Sequence, residues 1–330
     1  MAGDRIMCIR IASFFAFIAV ALGCASVRAN DWVHPGPAWE PEAPRKQVPL
    51  WPEGLAIARP PVKGPEGVWN EQKPGAPAPL VAIVNVSRPT MTVYPPKGKN
   101  SGATMVVFPG GGYRVLAIEL EGTQICDAFT AKGMTCVVLK YRVPGSGPWW
   151  SDDCNCGKEP TAPMALQDAQ RTMVLLRHQA KALQIDPQRI GVIGFSAGGH
   201  MVADISNHPR LSYKPVDDAD KENPVPDFAI AMYAGHLWDQ DEHGVKLHPR
   251  NKISTKAPPT FIVQAQNDLV DDVRNSVSYY LALTKAGVPV EMHLYAKGGH
   301  AFALRKTTDA IGGWPALLDT WLHGLGVLTD

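Results

Sequence analysis

Ile190-Gly191-Val192-Ile193-Gly194-Phe195-Ser196-Ala197-Gly198-Gly199 is the stretch on which the fold turns. Its first half is an apolar run of strand length, and its second half opens a stretch of helical character from Ala197 to Asn207. Strand, sharp turn and helix in that order put Ser196 at the turn, where flanking glycines let strand and helix approach closely. Such a turn strains the serine backbone and presents its hydroxyl at the carboxyl end of a sheet. An ordinary Gly-rich turn is the plain alternative. The apolar strand before it and the helix after it favour the first reading.

The same alternation continues on both sides. Thr104 to Phe108, Thr135 to Leu139, Arg189 to Ile193, Phe228 to Tyr233, Thr260 to Ala265 and Val290 to Tyr295 read as strands. Between and after them, helices are expected over Glu121 to Lys132, Pro163 to Leu183, Ala197 to Asn207, Val273 to Ala286 and Trp314 to Leu322. Buried apolar strands alternating with amphipathic helices imply an α/β fold with a mostly parallel central sheet and helices on both faces. Leu80 to Val86 and Met91 to Tyr94, joined by a turn at Arg88-Pro89, are expected to form its antiparallel N-terminal edge.

A serine hydroxyl needs a base to become nucleophilic, and in this strand-turn-helix context the partners follow in the order Ser, acid, His on loops after later strands. Asp268 follows the strand ending at Ala265, and His300 follows Lys297-Gly298-Gly299 beyond the strand ending at Tyr295. Of the ten histidines, His300 is preferred because a Gly-rich loop can carry an imidazole over the sheet end; His200 and His293 read as structural. Asp271 and Asp272 compete with Asp268, but they precede the next helix, where carboxylates favour the helix dipole. For a tetrahedral oxyanion, the backbone N–H of Ala197 is one expected donor, with Gly111 and then Gly112 of Pro109-Gly110-Gly111-Gly112-Tyr113 supplying the other. No cofactor is required by such chemistry.

Size and composition fit one sizeable catalytic domain: 330 residues, 45% hydrophobic, 19% charged. A net charge of +1 with no local basic patch argues against a nucleic-acid partner. Residues 1–29 read as a signal peptide, with Arg5 and Arg10 at the start of the apolar run Ile11 to Leu22 and cleavage after Ala29. The run is shorter than the roughly 20 residues of a spanning helix, so an exported protein without stable membrane insertion is expected. Lipoprotein anchoring at Cys24 is the alternative. Residues 30–79, crowded with Pro and Gly, read as an extended leader, and residues 80–330 as the catalytic domain. Past the signal, Cys126, Cys136, Cys154 and Cys156 allow three disulfide connectivities. Cys154-Asn155-Cys156 has no His or further Cys nearby, which argues against a metal site.

PGGGY at Pro109 to Tyr113, LKYRVP at Leu139 to Pro144, GFSAGGH at Gly194 to His200, QAQNDLV at Gln264 to Val270 and HLYAKGGHAF at His293 to Phe302 resemble secreted α/β-hydrolase esterases. The resemblance is to the acetyl xylan esterase and feruloyl-esterase-like proteins, distant relatives of the hormone-sensitive-lipase group. It implies the α/β-hydrolase fold and a serine esterase that deacylates acetyl or other short acyl esters of plant-polysaccharide-type carbohydrate. Where the lipase group usually carries His before its glycines, this chain has Pro109. No long apolar lid is visible, so an open cleft is expected. Tyr113, Trp149, Trp150, His236 and Trp238 are candidate substrate contacts. A prolyl-oligopeptidase-like peptidase shares the order of the three residues, but no propeller-length region precedes this domain. A non-catalytic carbohydrate-binding relative is a third reading, against which the complete set of three residues stands.

Overall fold

A computed structural model of the chain describes residues 36–60, 62, 64–71, 79–143, 150–151, 156–157, 163–240 and 244–328. The residues of the expected signal peptide lie outside these, as does much of the loop that carries Trp149 and Cys154.

The chain begins with β1 (Gln47–Pro49), β2 (Gly67–Glu71), β3 (Leu80–Val84), β4 (Thr90–Tyr94), β5 (Thr104–Phe108) and β6 (Val115–Leu116). A π-helical turn, Glu119–Thr123, runs into α1 (Gln124–Ala131), followed by β7 (Thr135–Lys140) and the short pair β8 (Trp150–Ser151) and β9 (Cys156–Gly157). Then come α2 (Pro163–His178), α3 (Ala180–Leu183), β10 (Ile190–Phe195), α4 (Ala197–Asn207) and β11 (Phe228–Met232). The last elements are β12 (Thr260–Ala265), α5 (Arg274–Lys285), β13 (Val290–Tyr295) and α6 (Trp314–Gly324).

Eight strands make the central sheet in the order β1-β4-β7-β5-β10-β11-β12-β13, parallel from β7 onward. Strands β5, β7, β10, β11 and β12 are buried along their whole length, as expected of strands covered on both faces. From β5 the chain moves one way to β7, then jumps back past β5 to β10. Right-handed crossovers therefore put α1 on one face and α2 and α4 on the other. Lys132, just past α1, pairs with Asp319 on α6, which places those two helices together. The reversal leaves a crevice beyond the carboxyl ends of β5 and β10, where ligands of open α/β sheets bind.

The antiparallel edge is built differently from the sequence expectation. β4 does pair antiparallel with β7, but β3 leaves the main sheet and joins a small one of order β2-β3-β6. Asn85, in a left-handed conformation with φ 58° and donating through Nδ2 to Pro65 O, redirects the chain between β3 and β4. The outermost strand is β1, from within the leader, and Pro49 at its end suits an edge where a ladder N–H is dispensable. Beyond β1 the leader is held by Leu50, buried against the core, and by Trp51, whose Nε1 donates to Asp168 Oδ1 on α2 at 2.9 Å. That same Asp168 carboxylate takes the buried guanidinium of Arg142 at 2.7 Å. Cys126 on α1 and Cys136 on β7 form a disulfide with Cα atoms 5.2 Å apart.

Candidate active site

Ser196 sits between β10 and α4 at φ 53° and ψ −119°, the strained turn expected from the sequence. Its N–H donates to Met232 O on the neighbouring strand, and its C=O accepts from the His200 amide one turn into α4. The turn is so tight that Cβ atoms on two of its glycines would collide with backbone: 2.1 Å from Gly198 O at position 194, and 2.1 Å from Phe108 O at position 198.

Asp268 and His300 come to Ser196 from the loops after β12 and β13. His300 Nε2 is 3.1 Å from Ser196 Oγ, and His300 Nδ1 is 2.7 Å from Asp268 Oδ2. An ionised carboxylate only accepts, so Nδ1 carries the proton and Nε2 is left to accept from the serine. The other oxygen of Asp268 accepts from the amides of Val270 and Asp271 at 2.8 and 3.0 Å, which fixes the acid. Asn267 Oδ1 accepts from the Gly299 amide at 2.9 Å and ties the two loops together. The Tyr233 ring meets His300 edge-on with centroids 5.0 Å apart. Burial acts to lower the imidazole pKa. The hydrogen bond to Asp268 and the charges of Asp271, Asp268 and Glu121 outweigh it, so the net direction is upward.

The glycine loop after β5 lies against the serine turn: a Cβ at position 110 would come within 3.0 Å of Ser196 Cβ. The Gly110 N–H is taken by Glu121 Oε2 at 2.8 Å, and Pro109 O accepts from Tyr141 Oη at 2.6 Å. Gly111, at φ 128°, follows, with its carbonyl accepting from the Arg114 and Val115 amides. The amides of Gly111, Gly112 and Ala197, the donors expected from the sequence, have no acceptor among the described residues.

Two carboxyl groups close to the serine were not foreseen. Asp271 does not serve the helix dipole: α5 begins only at Arg274, and Asp271 Oδ2 accepts from Ser196 Oγ at 3.1 Å while lying 3.9 Å from His300 Nε2. The turn on Asp268 Oδ1 folds the chain back and brings residue 271 to Ser196. An acid three residues past Asp268 was the available signal. Burial pushes Asp271 up, against the charges of His300 and His236. Glu121, expected only as a helix start, is 2% exposed and bridges Gly110 N–H to Tyr233 Oη, its Oε1 accepting from the phenol at 2.7 Å. Burial raises its carboxyl as well, partly offset by the Tyr233 hydrogen bond and the His300 charge.

Tyr113, expected to touch substrate, is instead 1% exposed, its hydroxyl 3.0 Å from His200 Nδ1. Its φ of 55° is left-handed, and its buried ring meets those of Tyr141 and His200 edge-on. His200 is buried and also reaches Asn251 Oδ1, in keeping with a structural role, and His293 pairs with Glu291. His236 is partly exposed near Asp271, its ring 6.0 Å from Tyr113 and 5.7 Å from His200. Trp238 donates to Gly244 O, and the Arg274 guanidinium covers one face of its ring at 3.5 Å. Trp149 lies outside the described residues, and of Trp150 only its place in β8 is described. Among the described residues no cluster of His, Cys, Asp or Glu is arranged to hold a metal, and no helix is long and apolar enough to cross a membrane.

The model of the prolyl oligopeptidase family matches residues 128–323, a span that takes in Ser196, Asp268 and His300. The chain belongs to the prolyl oligopeptidase family. Among relatives with assigned activities, this family member is 28% identical over 247 residues to an acetylxylan esterase of Xylanibacter ruminicola, covering 68% of the chain but only 45% of that protein. It is 27% identical over 230 residues to an ethyl acetate hydrolase of Pseudomonas putida, covering 61% of the chain and 66% of that protein. A solved acetyl ester-xyloside bifunctional hydrolase from Caldicellulosiruptor lactoaceticus superposes with a TM-score of 0.65 at 27% identity, over 89% of the chain and 99% of the other. The α/β-hydrolase fold expected from the sequence is thus the fold of the family member described here.

Proposed function

We propose that the protein is a serine carboxylic-ester hydrolase working through an acyl-enzyme, with acetyl or other short acyl esters of carbohydrate as substrates. The observation that carries this reading is the continuous hydrogen-bonded chain from Ser196 Oγ through His300 to Asp268, set beside free amides in the sheet crevice. Ser196 Oγ attacks the ester carbonyl carbon as its proton passes to His300 Nε2; the carbonyl oxygen becomes an oxyanion held by the amides of Ala197 and Gly111 or Gly112. Collapse of the tetrahedral intermediate breaks the bond to the alcohol oxygen, which takes the proton from Nε2. Water, deprotonated by the same nitrogen, then releases the acid and restores the serine. Asp268 orients the ring and stabilises the imidazolium.

Similarity to an acetylxylan esterase and to an acetyl ester-xyloside hydrolase supports acetylated carbohydrate as the substrate class. Export through the N-terminal signal, with lipidation at Cys24 as the alternative, fits a polymer too large to enter a cell, and the Cys126–Cys136 disulfide fits an oxidising compartment. Membership of the prolyl oligopeptidase family keeps a peptidase as the second reading. The deciding experiment compares p-nitrophenyl acetate and acetylated xylan with peptide substrates. Acetate release that disappears in Ser196→Ala, together with fluorophosphonate labelling of the wild type, is the expected result. Cleavage of peptides but not esters would establish the peptidase. Glycan binding without labelling or turnover would establish a binding protein.

A further inference from the structure

Asp271 touches the nucleophile, yet the reaction just described does not use it. Its Oδ2 stands 3.1 Å from Ser196 Oγ and 3.9 Å from His300 Nε2. During cleavage the departing oxygen is bonded to the carbon that Oγ attacks and must come within hydrogen-bond reach of Nε2 to collect its proton. A side chain close to both Oγ and Nε2 therefore flanks the alcohol half of the ester.

The backbone that carries this carboxyl is held at both of its polar groups. The Asp271 N–H donates to Asp268 Oδ1 at 3.0 Å and its C=O accepts from Gln264 Nε2 at 2.8 Å. Oδ1 fills the space that a side chain at Gly235 would need, since a Cβ there would lie 2.3 Å away. Oδ1 accepts no hydrogen bond among the described residues, and the side chain keeps 15% of its surface open. A carboxylate oxygen with no protein donor among the described residues, on a side chain open to the crevice beside Ser196 Oγ, can accept a hydrogen bond from a bound ligand.

We propose that Asp271 is a specificity-determining residue that accepts a hydrogen bond from a hydroxyl on the carbon next to the ester-bearing carbon, so that the site selects monoesters of vicinal diols. A partly acylated sugar ring presents this arrangement. The inference rests on the ester-hydrolase reading above and names the feature of the alcohol that the site recognises. The bond has a second effect. The Ser196 hydroxyl has one proton, and Asp271 Oδ2 competes for it with His300 Nε2 at equal distance. A substrate hydroxyl engaging Asp271 weakens that competition and leaves the serine proton to the base.

The test uses two small acetates that differ only in this donor, 2-hydroxyethyl acetate and 2-methoxyethyl acetate, with kcat/KM corrected for hydroxide-catalysed rates. A hydrogen bond to a charged acceptor corresponds to roughly a tenfold to hundredfold preference. Wild type is expected to favour the hydroxyethyl ester by at least about tenfold. Asp271→Val should bring the ratio close to one, and Asp271→Asn, which retains one acceptor oxygen, should keep part of it. The ratio compares two esters on one preparation, so a loss of folded protein cancels. Gly235→Ala, which displaces the carboxyl without removing it, should also lower the ratio and substitutes if Asp271→Val does not fold. A wild-type ratio near one, or an unchanged ratio in these variants, overturns the proposal. Wild-type protein that neither hydrolyses p-nitrophenyl acetate nor takes a fluorophosphonate defeats the ester-hydrolase reading itself. Turnover with a flat ratio defeats only the role given to Asp271.

Discussion

The hydroxyl of Tyr233 donates to Glu121 at 2.7 Å, and through that bond the glycine loop and the His300 loop share one buried support. Removing the carboxyl in Glu121→Ala strands the Gly110 N–H and the Tyr233 hydroxyl in the interior, a penalty of about 1–3 kcal/mol for each unsatisfied group. We expect a lower Tm and at least about a tenfold loss of kcat with little change in KM, because the residue positions and does not touch substrate. Glu121→Gln can accept from Gly110 and donate to a rotated Tyr233 hydroxyl, so it should recover most of both. Equal losses in the two variants would contradict this account.

The pH profile follows from His300. The imidazole must be neutral to accept the serine proton, so activity is lost as pH falls through its pKa. Burial alone would move that limb to lower pH, but Asp268, Asp271 and Glu121 hold the cation and move it up. The acid limb of kcat/KM should therefore lie above the usual imidazole value of about 6.5. In Asp271→Asn one of the raising charges is gone, and the limb should move to lower pH. A limb that stays in place would show that the 3.9 Å separation carries no electrostatic coupling.

Gly111→Ala should be far more damaging than its size suggests. At φ 128° the position is strained for any other residue, and its Cβ would lie 2.2 Å from Val115 O. The loop must shift, taking its amides out of register with the oxyanion. Losing one such donor costs about 10²–10³ in kcat in comparable enzymes. Circular dichroism and Tm separate this effect from unfolding.

Replacing both Cys126 and Cys136 by Ser opens a short loop between α1 and β7. For a loop of this length, chain entropy gives roughly 2–3 kcal/mol of lost stability. Denaturant midpoints of the variant and of the reduced wild type should fall together, with activity under native conditions little changed.

The strand-turn-helix around Ser196 and the parallel strands were legible because buried apolar runs bounded by glycines leave few other structures available. The order of Ser196, Asp268 and His300 was legible for a related reason: each follows a recognisable strand. Asp271 was not, because its position depends on the Asp268 side chain folding the loop back on itself, a contact that periodicity does not encode. Nor was the edge strand Gln47–Pro49, too short and too rich in proline nearby to show alternation. The burial of Tyr113 at a left-handed backbone angle is likewise something that sequence pattern does not report.

The leader's anchorage also sets an order of events. Trp51 reaches Asp168 across 117 positions, and Leu50 O receives Arg171 Nε across 121. Neither bond can form until α2 has been made, so this anchorage is completed only after half the polypeptide has arrived. Closing contacts of such separation is slow, and until then β1 is held at the sheet edge by a short pairing with β4, a place that a foreign strand can also take. A newly made molecule is therefore most exposed to misassociation before α2 locks its N-terminal region in place.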